Sequence, residues 1–237
     1  TGDWCRLALA IAVVQAVSEP ENTVVDIKSA PRTQPYTDGS PFRKEVLSGL
    51  TVQDHLYRML LANEKDSTYA LARSVFGNTA SAVKKMNEVT MDICGTDPTF
   101  GDIYGEISGS FLITDLAKLI DAMLAEPLLN KIWHAASYTV PTTQELIPSR
   151  NALLPENPLG LTHVTPDSRV TGGLTSVSGD YADMAVTAEY QGKRVLCILT
   201  GALRITHPYG DDPNSFSVVD YWGNYEETEK LLNIAFG

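Results

Sequence analysis

Residues 50–87 constrain the fold most, because they form three consecutive helix patterns separated by polar turns. Thr51 is a good N-cap, and Asp54 three residues later completes a capping box that opens the first helix. Residues 63–66 form a polar turn held between the first two helices, and such turns are good positions for a functional side chain. The apolar residues of the first helix follow helical spacing at Val52, Leu56, Met59 and Leu60.

The same pattern predicts two more helices in this stretch. The second begins at about Ser67 and stops at Gly77, and the third begins at about Ala80. Residues 5–14 are nearly all apolar and can be interpreted in two ways. They can form a buried central helix or the apolar core of a signal peptide, because they are too short to span a membrane. We favour the buried helix.

The rest of the chain predicts an α/β (α+β) fold, in which helices flank an antiparallel sheet beside a helical subdomain. We expect one domain over residues 1–237, with the helical subdomain at about 50–135 and the sheet and terminal helix at about 136–237. Residues 189–193 form a good hairpin turn between alternating apolar runs. Residues 203–223 are expected to link the last hairpin to the terminal helix.

The order of these segments resembles the D-alanyl-D-alanine carboxypeptidases, which are low-molecular-weight penicillin-binding proteins. The family pattern begins L-T-V-x-D and continues through a T-x-F and an S-T-A-x-D-L-A segment. The residues that match it run along nearly the whole chain: Leu50, Thr51, Val52, Asp54, Tyr57, Asp66, Ala70, Leu71, Ala72, Gly77, Val83, Met86, Asn87, Thr99, Phe100, Thr114, Asp115, Leu116, Ala117, Tyr138, Pro141, Asn151, Leu153, Leu154, Glu227, Lys230, Leu231 and Leu232.

The resemblance implies an acyl-enzyme mechanism whose first motif is S-x-x-K, a serine nucleophile with a lysine base. Asp3 occupies the serine position of this chain and Arg6 the lysine position. A carboxylate there would repel a substrate that ends in a carboxylate, and arginine stays protonated and cannot act as a base. We expect these two residues to form an i,i+3 ion pair, or Asp3 to pair with Lys65.

The other two family motifs are also altered. Asn63 and Lys65 stand at the serine and asparagine of S-x-N, so a hydrogen-bonding amide remains but a proton shuttle does not. The lysine of K-T-G falls on Leu174 or Thr175, depending on a one-residue gap. No lysine stands at either position. Three separate losses favour a catalytically silent relative.

Composition limits the ligand classes. A net charge of −11 and a pI near 4.7 argue against nucleic-acid binding, because phosphate contact needs clustered cations. The three cysteines, Cys5, Cys94 and Cys197, are too scattered for a disulfide framework or a zinc site. We predict no metal and no cofactor. Cys5 lies between the first-motif positions, but a helix would turn it away from their direction.

Two functions are open at this stage. The first is a catalytically silent envelope protein that binds a peptidoglycan stem peptide or a protein partner through the old cleft; its residues would be Asp3, Arg6, Asn63, Lys65, Thr175 and Ser176. The second is an active serine-type carboxypeptidase with a non-standard nucleophile, Ser176 or Ser178. A purely structural module without a ligand is a third possibility.

The resemblance also implies a cellular location for the protein and additional strands before the central helix. Related proteins act outside the cytoplasmic membrane, so we expect a secreted or envelope location, with any membrane attachment outside this chain. The family places two strands before the central helix, and none precedes residues 5–14 here. We therefore expect a longer precursor or a version without those strands.

Overall fold

The protein is described by a computed structural model that covers residues 2–26, 49–106, 112–159, 161, 164–178, 181–208 and 218–237. The chain divides into two compact units. The first comprises Thr1–Ile132 with Tyr138–Ile147, and the second comprises Trp133–Ser137 with Pro148–Gly237. Residues 27–48 lie outside the described residues.

A buried apolar helix forms the centre of the first unit. A short 3₁₀ turn, Gly2–Trp4, leads into α1, Cys5–Ala16, and all residues of α1 up to Val13 are buried. A helix that is hydrophobic all round has no face suited to water, so its neighbours must enclose it. Four other helices of this unit contact α1. The structure thus confirms the predicted central helix.

The three helices predicted after residue 50 are present. They are α2, Val52–Ala62; α3, Lys65–Phe76; and α4, Thr79–Cys94. The Thr51 side chain accepts from the Asp54 backbone N–H, and Asp54 accepts from the Thr51 N–H at 2.8 Å, so the capping box is confirmed. Helix α3 begins two residues before the predicted Ser67, so Lys65 belongs to its first turn.

Two further helices and a small hairpin complete this region. Helix α5 spans Ile113–Ala125 and α6 spans Pro127–Trp133. Strands β1, Ser137–Thr139, and β2, Leu146–Pro148, form a two-stranded sheet. Tyr138 on β1 stacks on Tyr57 of α2 with ring centroids 3.8 Å apart, and its hydroxyl donates to Asp54 Oδ1 at 2.7 Å. The capping carboxylate therefore also holds this hairpin on α2.

The second unit is built on a four-stranded antiparallel sheet with the order β3-β4-β5-β6. Its strands are β3, Val170–Ser178; β4, Tyr181–Tyr190; β5, Lys193–Pro208; and β6, Val218–Trp222. Helix α7, Asn224–Phe236, packs on β4 and β5. The core between them contains Leu153, Val170, Met184, Val186, Tyr225 and Leu232.

The sheet both confirms and corrects the sequence prediction. The β4–β5 hairpin turns at Gln191 and Gly192, which have φ angles of 51° and 79°, as a tight two-residue turn requires. The interpretation of residues 203–223 as a plain connection was wrong, because β5 continues to Pro208 and β6 pairs with it. The polar and Pro/Gly-rich composition of residues 203–223 gave no strand pattern for β6. This strand forms because β5 provides its hydrogen-bonding partner in the folded sheet.

No helix among the described residues combines the length and the apolar character needed to cross a membrane. Within the same residues, no group of three or more histidine, cysteine, aspartate or glutamate side chains is placed to hold a metal ion.

We predict that Gly173 on β3 tolerates no side chain. Its φ is 144°, and a Cβ would lie 2.4 Å from the Ala185 carbonyl oxygen on β4. Gly173→Ala should lower the free energy of unfolding by about 3 kcal/mol, because backbone strain and overpacking add. Gly192→Ala is the matched control: its φ is 79° but no atom lies within 4 Å of its Cβ, so only about 1 kcal/mol should be lost. Equal losses in urea unfolding would contradict the steric argument.

We also predict alkaline instability between about pH 10 and 12. Burial, followed by contacts with Asp54, raises the pKa of Tyr138 to about 12. A phenol whose pKa is raised on folding contributes stability that is present below the unfolded-state pKa, about 10, and is lost as pH rises through the folded-state value. Unfolding free energy measured from pH 8 to 12 should therefore fall less steeply in Tyr138→Phe than in the wild type. Parallel curves would show that Tyr138 does not titrate as proposed.

Candidate functional site

Four of the predicted site residues lie around one pocket in the first unit. The pocket has a volume of about 230 Å³, counted to its open mouth. Its lining residues come from the start of α1, the end of α2, the start of α3 and the segment before residue 107: Asp3, Cys5, Arg6, Met59, Asn63, Lys65, Thr68, Ile103 and Tyr104. The structure therefore brings the residues of the first two predicted motif positions together around one pocket.

Burial divides the lining into a floor and a rim. The floor consists of buried side chains: Cys5, Arg6, Met59, Thr68 and Ile103. The rim consists of the half-buried residues Asp3, Asn63, Lys65 and Tyr104. The floor thus combines apolar side chains with the buried Arg6 and Thr68, while the rim residues are all polar or aromatic.

Residues at the first and second predicted motif positions contact each other. Arg6 is 3% exposed, and its Nη1 donates to Asn63 Oδ1. Asn63 is the C-cap of α2 and has a φ of 57°, a left-handed conformation that asparagine tolerates better than most residues. A buried charge needs a polar partner, and the amide oxygen supplies one. The predicted pair between Asp3 and Arg6 or Lys65 stays a prediction.

The asparagine amide also presents a buried donor. Its Nδ2 atom is buried and has no hydrogen-bond partner among the described residues. Buried polar groups in proteins are nearly always satisfied by protein atoms, water or a ligand. Asn63, a pocket-lining residue, therefore has a donor that no described protein group uses.

A buried polar network fixes the turn that carries Asn63. Arg58 is 2% exposed, and its guanidinium donates to Glu64 at 3.2 Å and also to Glu145. The backbone N–H groups of Asn63 and Glu64 both donate to the Arg58 carbonyl. Ser67 donates to Glu64 Oε2 at 2.8 Å. The turn is thereby held from its backbone and from its side chains.

This network includes a serine, a histidine and a carboxylate, but not in a catalytic order. The Ser67 hydroxyl lies 3.2 Å from His55 Nδ1 and also donates to Glu64. In a serine hydrolase the histidine stands between the serine and the acid. Here the serine stands in the middle and is fully buried, so we assign the group a structural role.

Lys65 is engaged at the rim. Its Nζ donates to Glu106 Oε1 at 2.8 Å and lies 5.9 Å from the centre of the Tyr104 ring. Both partners of the ion pair are about one-third exposed, at 35% and 33%. Burial is the main cause that raises the pKa of Tyr104, so this phenol stays protonated at neutral pH. Lys65 thus occupies a family amide position as a paired cation.

The hydroxyl and thiol groups on the floor are not activated. Cys5 is fully buried, donates to the Ile103 carbonyl at 3.5 Å, and has a thiol pKa well above its usual range because of burial. The Thr68 hydroxyl donates to the Glu64 carbonyl at 3.1 Å. A nucleophile needs a neighbouring base or a lowered pKa. Among the described residues, neither the Cys5 thiol nor the Thr68 hydroxyl has a neighbouring base, and the Cys5 pKa is raised.

The third-motif positions lie on β3 in the second unit. Thr175 pairs with Met184 and Leu174 with Ala185, so the two candidate lysine positions face opposite sides of the sheet. Thr175 shares the face of Met184 and Val186, which belongs to the core beneath α7. Ser176 is fully buried. The Ser178 side chain lies outside the described residues.

Sequence reasoning missed several residues that shape the site. Only the folded structure shows that Lys65 contacts Glu106 and Tyr104, and that Arg58 contacts Glu64. Isolated charged and aromatic residues carry no spacing signal, so sequence alone could not have marked Glu106 and Tyr104. Glu64 lay inside the turn already singled out.

The fold is shared with proteins of known structure. A D-alanyl-D-alanine carboxypeptidase from Mycobacterium tuberculosis superposes with a TM-score of 0.65 at 19% identity, covering 85% of this chain and 74% of that chain. Penicillin-binding protein D2 from Listeria monocytogenes, solved in an ampicillin-bound form, gives 0.69 at 18% identity, covering 100% and 87%. Penicillin-binding protein 6B from Escherichia coli gives 0.66 at 19%, covering 98% and 68%.

These similarities define the class of fold. The chain has the fold of the D-alanyl-D-alanine carboxypeptidases and penicillin-binding proteins, as its sequence pattern predicted. No known family model matches the sequence, and no curated protein matches it either. Fold alone does not define an activity, so function rests on the pocket.

We predict that the Arg6–Asn63 contact is a measurable stabilising pair. In a double-mutant cycle of Arg6→Ala and Asn63→Gly, the coupling in unfolding free energy should be about 2 kcal/mol, typical of a hydrogen bond to a charged group. Glycine replaces Asn63 because it keeps the left-handed backbone without strain. Additive effects in urea denaturation would show that the contact contributes nothing. The exposed pair Lys84 and Glu88 provides a reference cycle, with about 0.3 kcal/mol expected.

Proposed function

We propose that this protein is a non-catalytic, cell-envelope relative of the carboxypeptidases that uses the pocket of its first unit for binding. The observation that carries the proposal is the direct contact between Arg6 and Asn63. In the family, these positions hold the catalytic base and the proton-transferring serine. Here they hold a permanent cation and an amide that bond to each other, so neither can take a proton from a nucleophile.

Two further features support a silent site. Asp3 stands at the nucleophile position, and Cys5 and Thr68 donate to backbone carbonyls instead of facing a base. An acyl-enzyme mechanism requires an activated nucleophile and a base within hydrogen-bond reach. The pocket-lining residues supply no such pair.

The buried amide N–H of Asn63 supports retained binding. It lies in the pocket wall and can donate to a carbonyl oxygen of a ligand. A peptidoglycan stem peptide is one candidate ligand, because peptide carbonyls are acceptors of this kind. The envelope location of the proposal rests on the resemblance to the carboxypeptidases.

An active serine-type carboxypeptidase with a displaced nucleophile is the second candidate function. Ser176 or Ser178 would then carry the acyl group. The burial of Ser176 on β3 disfavours it as a nucleophile. This candidate and the silent site give opposite results in the same experiment.

We predict that a fluorescent penicillin forms no covalent adduct with the wild-type protein, and that a stem-peptide mimic ending in D-alanyl-D-alanine releases no D-alanine. Intact mass and a D-alanine assay measure the two outcomes. The Listeria penicillin-binding protein D2, known with ampicillin bound, is the positive control. An adduct would overturn the silent assignment, and its mapping to Ser176 or Ser178 would establish the second candidate.

Binding is tested separately with the same unlabelled peptide by titration calorimetry. Asn63→Gly should weaken binding by about tenfold, the value of one lost hydrogen bond to a buried donor. Lys84→Gln on the exposed face of α4 is the control and should bind like the wild type. A peptide that binds both variants equally, or binds none, would remove this pocket as its site while leaving the catalytic conclusion in place.

A further inference from the structure

An ion pair beside the pocket joins two different segments of the chain. Lys65 belongs to the first turn of α3, and Glu106 ends the described segment before residue 112. Their charged atoms are 2.8 Å apart. Lys65 lines the pocket, and so do Ile103 and Tyr104 of the segment that carries Glu106, so the pair joins two of the segments that form the pocket. We call Lys65 with Glu106 the rim pair.

The segment that carries Glu106 is shaped to reach Lys65. The Asp102 carboxylate accepts from the backbone N–H of Tyr104 at 2.6 Å and from that of Glu106 at 3.2 Å. This bend sets Tyr104 below the Lys65 ammonium, 5.9 Å from the ring centre, while Glu106 meets it directly. The cation is thus held by two groups of one small turn.

The exposure of the rim pair makes it easy to break. Both side chains keep about one-third of their surface in water, at 35% and 33%. Exposed pairs of this kind contribute little, because water and salt compete for both charges. The floor below is different: Cys5 is fully buried and Ile103 is 2% exposed. The exposed rim pair therefore contrasts with the buried residues of the floor.

We propose that the rim pair is a latch that controls access to the pocket floor. In the closed state, the Glu106 carboxylate of the same chain pairs with the Lys65 ammonium. When this contact breaks, the mouth of the pocket opens. An external carboxylate is the chemical class that can replace Glu106 on the lysine, since it offers the same charge and the same acceptors. The latch concerns access only, so it stands whether or not the pocket binds the proposed ligand.

Cys5 provides a built-in reporter of opening. Its thiol lines the floor, and burial makes it unreactive in the closed state. Cys94 is also buried but does not line the pocket, so it reports general unfolding. The whole wild-type chain can be treated with N-ethylmaleimide, a neutral reagent, and the modification of each cysteine followed by peptide mass spectrometry. Because N-ethylmaleimide is uncharged, the charges removed by the substitutions do not attract or repel it.

The test compares Glu106→Gln with Glu88→Gln. Both changes remove a carboxylate that pairs with lysine, but Glu88 lies on the exposed face of α4. Glu106→Gln should raise the Cys5 alkylation rate about two- to fivefold, the range expected for loss of an exposed pair. Lys65→Gln should give the same rise. The Cys94 rate should not change, and Glu88→Gln should change neither rate.

The outcomes separate the latch from its alternatives. A selective rise at Cys5 in both rim variants supports the latch. An unchanged Cys5 rate would overturn it, because the pair would not control access. A parallel rise at Cys5 and Cys94 would also overturn it, because the pair would then act only on overall stability.

Discussion

The enclosure of α1 is the constraint on which the first unit depends. Its residues are buried on every side up to Val13, so surrounding helices are required to remove this surface from water. The same helix carries Arg6 in its first turn, where burial would be costly without a polar partner. Asn63 supplies that partner from the end of α2. Packing of the apolar helix and pairing of its one buried charge therefore determine where the pocket lies.

The polar side chains around the pocket bond to other protein groups. Arg6 donates to Asn63, and Lys65 donates to Glu106. Arg6 is buried, whereas the pair of Lys65 with Glu106 keeps about one-third of its side-chain surface in water. Under the proposed function, these contacts stand where an active enzyme needs a nucleophile and a base. The Asn63 Nδ2 atom is buried and has no hydrogen-bond partner among the described residues.

Local sequence patterns predicted much of the fold. The capping box at Thr51 and the turn at Gly192 depend on neighbouring residues only, and both were found as predicted. The strand β6 was missed because it gains its hydrogen bonds from β5, its partner in the sheet. The start of α3 was placed two residues late, since Glu64 gives no side-chain cap bond to mark it.

The sequence by itself determined the helix order, the antiparallel hairpin and the side-chain chemistry available at Asp3 and Arg6, because each follows from residue type or short-range spacing. Only the tertiary structure decided which partners these residues take. Arg6 bonds to Asn63, 57 positions away, and Lys65 bonds to Glu106, 41 positions away. Such pairings depend on how helices pack in three dimensions, and the periodicity of residues along the chain does not predict this packing.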